Sequence, residues 1–184
     1  MERSHIMPYL YNMAQITITQ ATINDLSAVL LIGRQTFAET FTDRNTAENM
    51  QQYLEASFND EKISAELNDP ASYFYIAWEE ETPVGYLKLN TGKAQTEQLG
   101  DAALEIERIY VKAAYHGKKI GQLLYEKALE VASSQQKEYI WLGVWEENTK
   151  AIGFYSRNGF VPFDKHIFMV GEDPQQDVLM KKVL

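Results

Sequence analysis

The sequence predicts an α/β chain of the α+β kind, with a central mixed, mostly antiparallel sheet of about seven strands flanked by helices. Three observations carry that expectation. Helical periodicity dominates residues 22–67, and short runs rich in branched and aromatic residues recur in pairs around turn signals. The third is a Gly-containing turn that joins a strand to a helix and then to another strand, adding one parallel crossover to an otherwise hairpin-built sheet.

Residues 1–15 show no periodicity, and Arg3-Ser4-His5-Ile6-Met7 reads as a cloning scar ahead of a second possible start at Met13. They are expected to be a tag or disordered leader, leaving 16–184 as one domain. Ile16-Thr17-Ile18-Thr19 alternates branched apolar and polar residues, as a half-buried strand does. Thr22-Ile23-Asn24-Asp25 has the spacing of a capping box, and Leu26, Val29, Leu30, Gly33 and Phe37 then share one helical face. A second helix starts at Thr46 with Met50, Tyr53 and Leu54; a third starts near Asp60 with Ile63 and Leu67.

Segments 72–78 and 84–89 pair as a hairpin across an acidic turn containing Pro83, and 91–103 is polar and loop-like. Residues 104–111 form a fourth strand. A helix over 117–134 follows, with Ile120, Leu123, Leu124, Ala128, Val131 and Ala132 at helical spacing. Tyr139–Trp145 is the fifth strand, 148–157 a helix ended by Asn158-Gly159, and 160–170 and 176–183 the closing strands.

Composition excludes several function classes. The chain has no cysteine, which rules out disulfides and a thiol nucleophile and suits a reducing cytoplasm. No apolar run reaches the roughly 20 residues a membrane span needs, so no membrane partner is expected. Twenty-six acidic against 17 basic residues give a net charge of −9, which opposes nucleic-acid binding and favours cationic partners. His5, His116 and His166 have no paired metal spacing, so no metal is expected, and neither a Gly-x-Ser-x-Gly nor a P-loop pattern occurs.

The chemistry concentrates in Glu105-Ile-Glu-Arg-Ile-Tyr-Val111 followed by Tyr115-His-Gly-Lys-Lys-Ile-Gly121. A strand feeding a helix through a glycine turn aims free backbone N–H groups and a positive dipole end at one spot, a site for an anion such as a pyrophosphate. Lys112, His116, Lys118 and Lys119 add positive charge there in an otherwise acidic chain.

This stretch resembles motif A of the GNAT acetyltransferases, commonly [Gln/Arg]-x-x-Gly-x-[Gly/Ala]. Aligned on Gly121, His116 occupies the first position and Lys119 that of the middle glycine, while Gly117 and Ile120 agree with the Arg-Gly-x-Gly-Ile-Gly variant. Motif B of the family is similar to Asn148-Thr-Lys-Ala151-Ile-Gly-Phe154-Tyr155-Ser-Arg-Asn-Gly159-Phe160, and segments such as Tyr53-Leu-Glu and Ile140-Trp-Leu-Gly-Val-Trp-Glu146 resemble PaiA-type spermidine/spermine acetyltransferases. The resemblance implies the GNAT fold, with a V-shaped splay between the fourth and fifth strands. It also implies direct attack of a primary amine on acetyl-CoA in a ternary complex.

The resemblance further implies that Ile109, Tyr110, Val111, His116, Gly117, Lys118, Lys119, Ile120, Gly121, Asn148 and Tyr155 bind acetyl-CoA. A backbone N–H near 109–111 would meet the oxyanion, and Tyr155 would protonate the leaving thiolate. An alkylammonium titrates near pH ~10 and must lose a proton before it attacks. Glu105 and Glu107, two apart on a strand, share a face and serve equally by geometry; Glu105 stands where the family often places a catalytic glutamate, so the resemblance implies Glu105 as the base and Glu107 as substrate anchor. Glu39 and Trp145 are expected to touch the amine, and Gly143 to leave room on the facing strand. The same machinery would also serve a protein N-terminus, a lysine or another small amine, and a catalytically silent acetyl-CoA-binding module is a third reading. A monomer and a homodimer both remain open.

Overall fold

The computed structural model describes residues 15–184. The expected leader, apart from Gln15, lies outside the described residues. The strands are β1 (Ile16–Gln20), β2 (Ser72–Glu79), β3 (Thr82–Asn90), β4 (Ala103–Val111), β5 (Tyr139–Trp145), β6 (Val161–Val170) and β7 (Asp173–Val183). The helices are α1 (Leu26–Phe41), α2 (Ala47–Ser57), α3 (Asp60–Asn68), α4 (Ile120–Ser134) and α5 (Thr149–Arg157). One seven-stranded sheet runs in the order β1-β2-β3-β4-β5-β7-β6, and β4–β5 is its parallel pair. The α+β architecture with a mixed, mostly antiparallel sheet is therefore as the sequence predicts.

Local chemistry sets the helix starts. Thr22 and Asp25 close the capping box ahead of α1, Thr46 accepts from the Asn49 N–H, and Asn59 accepts from the Lys62 N–H. Two boundaries differ from expectation. Helix α4 begins at Ile120 instead of 117, because Gly117 (φ 81°) and Lys119 (φ 63°) are left-handed and cannot continue a helix. Strand β7 begins at Asp173 instead of 176, because the turn from β6 is tight and Pro174 pairs with Met169 at the outer edge of the sheet.

The two faces of the sheet bury separate cores. Leu104, Ile106, Leu142, Val144 and Met180 pack with α4 residues Leu124, Tyr125 and Ala128. On the other face Phe74, Ile76 and Tyr86 pack with α1 residues Val29, Ile32 and Phe37. A smaller cluster of Ala103, Trp141 and Leu179 lies under the loop containing Leu99.

Strands β4 and β5 pair only at Ala103↔Tyr139, Leu104↔Ile140 and Glu105↔Trp141. Beyond that point 106–111 and 142–145 do not pair with each other, which is the splay expected between the fourth and fifth strands. On its other side β4 carries a bulge. Lys88 lies opposite Arg108 and Leu89 opposite Ile106, leaving Glu107 as the extra residue. Leu104 and Ile106 face α4 before it, and Ile109 and Val111 do so after it. Glu107 and Arg108 thus both lie on the α1 side, where they form an ion pair.

Candidate active site

A cleft of about 1500 Å³ opens where β4 and β5 part. Its walls come from 106–111 of β4, 143–145 of β5, the entry to α4, one side of α5, and Phe37 to Phe41 of α1. No strand occupies the β5-facing side of 106–111, so backbone groups there are open to a ligand.

At one end the α4 entry turn points into the cleft. Its N-cap, Lys119, makes no side-chain capping bond, so the first-turn N–H groups remain without a side-chain partner. Gly117, Lys119, Ile120 and Gly121 line the cleft, as does His116. The His116 Nε2–H donates to the Val111 carbonyl at 2.8 Å, tying the turn to the end of β4. Lys118 does not line the cleft; its ammonium sits 4.2 Å from the centroid of the Tyr115 ring. The structure adds two cations that sequence reasoning did not single out, Lys150 and Arg157, on the cleft side of α5. Their i, i+7 spacing on that helix was the available signal.

The middle of the cleft brings together Ile109, Tyr110, Val111, Trp145, Asn148 and Tyr155. Asn148 caps α5 by accepting from the Ala151 N–H at 3.1 Å. Tyr155 is only 7% exposed and is held against Phe160 at a centroid separation of 5.6 Å. Burial drives its phenol well above the ordinary range, so it is a protonated donor at neutral pH. Trp145 packs on Phe41 at 5.7 Å, closing the α1 side.

The carboxylates named from the sequence are placed unequally. Glu39 lines the cleft and accepts from the Ala113 N–H at 2.8 Å, fastening α1 to the segment after β4. Glu107 also lines it, but Lys88 Nζ at 2.5 Å, Arg108 Nη2 at 3.2 Å and Asn90 Nδ2 at 2.6 Å all engage it. Burial raises its pKa, yet Arg108 and Lys88 together outweigh burial and hold it below the carboxylate range. Glu107 is therefore an anion with both carboxylate oxygens engaged.

Glu105 is not brought to the cleft. It is 2% exposed and accepts from the Asn90 side chain at 3.0 Å, the Thr96 N–H at 2.9 Å and the Thr96 hydroxyl. Burial, only partly countered by these bonds, shifts its pKa up. It does share the α1 side with Glu107, as the strand spacing predicts. What the spacing does not encode is the loop after β3, which folds over Glu105 and is pinned by Gln95 to the Trp141 indole at 2.8 Å.

Across the split the cleft is lined by Thr96, His166 and Asp177, none of which sequence reasoning named as site residues. Gly143 pairs with Leu179 without a bulge, and a Cβ there would lie 3.1 Å from Asp177 Oδ2. The space expected at Gly143 is therefore taken by a carboxylate of the neighbouring strand.

A model of the acetyltransferase (GNAT) family matches residues 34–160. An uncharacterised N-acetyltransferase of Lactobacillus delbrueckii subsp. lactis is 39% identical over 172 residues, covering 94% of this chain and 99% of its own. The spermidine N(1)-acetyltransferase of Thermoplasma acidophilum is 25% identical over 149 residues, covering 79% and 88%. The crystal structure of PaiA N-acetyltransferase from Thermoplasma acidophilum in complex with coenzyme A superposes with a TM-score of 0.76 at 22% identity, covering 92% and 99%. A ribosomal-protein-alanine N-acetyltransferase from Brucella melitensis has the same fold at a TM-score of 0.63 and 22% identity, covering 91% and 99%. The family model spans more than half of the chain and the Lactobacillus relative spans nearly all of it, so the chain belongs to the acetyltransferase (GNAT) family.

Proposed function

We propose that residues 16–184 form one domain that transfers acetyl from acetyl-CoA to a primary amine carried on a polyamine such as spermidine or spermine. The observation that carries this reading is the polarity of the cleft. One end presents the α4 N-terminus with Lys119, Lys150 and Arg157, suited to the phosphates of a CoA thioester. The far wall presents carboxylates to an entering cation, and the −9 charge of the chain draws such cations in. The likeness to a spermidine acetyltransferase supports the same substrate class.

In this reading the open backbone edge at 109–111 receives the carbonyl oxygen as it becomes an oxyanion. Tyr155 donates its proton to the departing sulfur. Glu107, locked by Lys88 and Arg108, is a fixed part of the wall on the amine's side, and Glu105 positions Thr96 at the cleft wall. Neither is assigned the proton transfer, since the lone pairs of each already accept hydrogen bonds. Glu39 and Trp145 shape the entrance from α1 and β5.

The test is thiol release from acetyl-CoA with spermidine, spermine, free lysine and a peptide with an unblocked N-terminus, alongside thermal unfolding with acetyl-CoA. Acetyl-CoA at about 100 times its Kd is expected to stabilise the fold by about 2.7 kcal/mol. The polyamines are expected to give the highest kcat/KM. Faster turnover of the peptide or lysine would overturn the polyamine assignment, and a thermal midpoint unmoved by acetyl-CoA would overturn the acetyl-donor assignment.

A further inference from the structure

Of the acidic side chains on the α1 side of the split, Glu105 and Glu107 are saturated by hydrogen bonds and ion pairs. Asp177 differs. It stands on β7 with Trp145 of β5 and His166 of β6 as its cross-strand neighbours, and its carboxylate leans over Gly143 at the edge of the gap. The absence of a side chain at Gly143 is what makes that approach possible. Among the described residues no hydrogen bond is made to the Asp177 carboxylate, and the residue lines the cleft.

We propose that Asp177 is the carboxylate that receives the acceptor's ammonium group and takes up its proton. This rests on the reading of the cleft as an amine acetyltransferase site and names the residue that reading lacks.

The surroundings suit the role. From β6, His166 faces Asp177 and is itself paired with Glu97 of the overlying loop, Nδ1 to Oε1 2.6 Å, at the solvent edge. From β5 only the uncharged Gly143 and Trp145 adjoin it. Across the split, β4 offers Glu107 and Arg108, which neutralise each other. Burial pushes the Asp177 carboxyl up to about 6, with the His166 charge pulling the other way, so it is a stronger base than a solvated aspartate yet ionised at neutral pH.

The protons balance. The ammonium gives one proton to Asp177, and the neutral amine adds to the thioester carbonyl. Collapse breaks the carbon–sulfur bond as Tyr155 protonates the sulfur. The second proton, released by the new amide nitrogen, restores the phenol through water. Asp177, part-exposed in the cleft, returns its proton to solvent there.

The experiment is a pH–rate profile of kcat/KM for spermidine at saturating acetyl-CoA, in the unsubstituted protein and in Asp177→Asn, with the acetyl-CoA thermal shift measured on both. The unsubstituted protein is expected to rise through pH 6 and level off. Asp177→Asn is expected to fall at least ~100-fold at pH 7 and to keep climbing toward pH 9 as free amine accumulates, with its acetyl-CoA shift intact. A variant within threefold of the unsubstituted protein at pH 7, with the rise through pH 6 retained, would overturn the assignment. So would loss of the acetyl-CoA shift along with activity, which would make Asp177 a structural residue. If lysine or the peptide is turned over and spermidine is not, the polyamine reading falls while the same two profiles on that amine still judge Asp177.

Discussion

The two ends of the cleft are built on opposite plans. The end proposed for the phosphates is built chiefly on one short run of chain, the turn at 116–121, whose conformation is set locally. The acceptor end is assembled from β4, β7, β6 and the loop after β3, and its side chains meet only because the sheet brings them together. The difference teaches where a sequence reveals a site. A contiguous turn leaves a motif, whereas a wall assembled from distant strands leaves isolated acids that look like any others.

The sharpest way to break this contrast is to disturb the locked part of the acceptor wall. Lys88 is 4% exposed and bridges Glu66 at 2.9 Å and Glu107 at 2.5 Å. Lys88→Met would strand two largely buried carboxylates beside a single guanidinium, and is expected to cost about 3 kcal/mol in urea unfolding. A loss below about 1 kcal/mol would mean that this wall is as adaptable as a solvated surface.

Between the two ends, Tyr155→Phe keeps the ring packed on Phe160 and deletes only the donor. Turnover is expected to drop about 100-fold with the acetyl-CoA thermal shift unchanged. Equal activity would return the residue to packing alone.

Asp177 supplies a pH-dependent test that does not involve turnover. Its carboxyl titrates at about 6 when folded, against an ordinary 3.8, so the folded chain holds the proton more tightly between those values. Stability therefore falls as pH rises through that window and stays lowered above it. Asp177→Asn removes the penalty. It should be more stable at pH 8 by roughly 1–2 kcal/mol, allowing for solvent screening, with the gain vanishing below about pH 4. Parallel urea curves at the two pH values measure it.

The smallest expected effect is at the phosphate end. Lys119 sits at φ 63°, ψ 8°, where glycine fits without a Cβ conflict. Lys119→Gly should gain about 0.5–1 kcal/mol, the relieved strain being partly offset by a floppier unfolded chain, and should raise the thermal midpoint by a few degrees. A fall in midpoint would show that the lysine side chain holds the turn.

The fold was legible because its signals are periodic and local: the caps at Thr22 and Thr46, the apolar faces of α1 and α4, and the hairpin of β2 and β3. The α4 entry was legible for the same reason. Lys119 stands where the resembling motif has a glycine, and its backbone takes the left-handed conformation that glycine adopts readily. Glu105 and Asp177 were not legible. Whether an acid faces a cleft or a covering loop is decided by Gln95 reaching Trp141, 46 positions away, and by a glycine on the strand beside the acid.

The bulge at Glu107 acts as a phase shift in a two-beat rhythm. Upstream the even-numbered residues Leu104 and Ile106 count as interior; downstream the odd-numbered Ile109 and Val111 do. Were all of 104–111 paired in strict alternation with no bulge, Arg108 would turn toward the α4 core and Ile109 toward the acceptor wall. The extra residue therefore works as a rotation, letting one strand serve an oily core on one side and a charged wall on the other with no break in the chain.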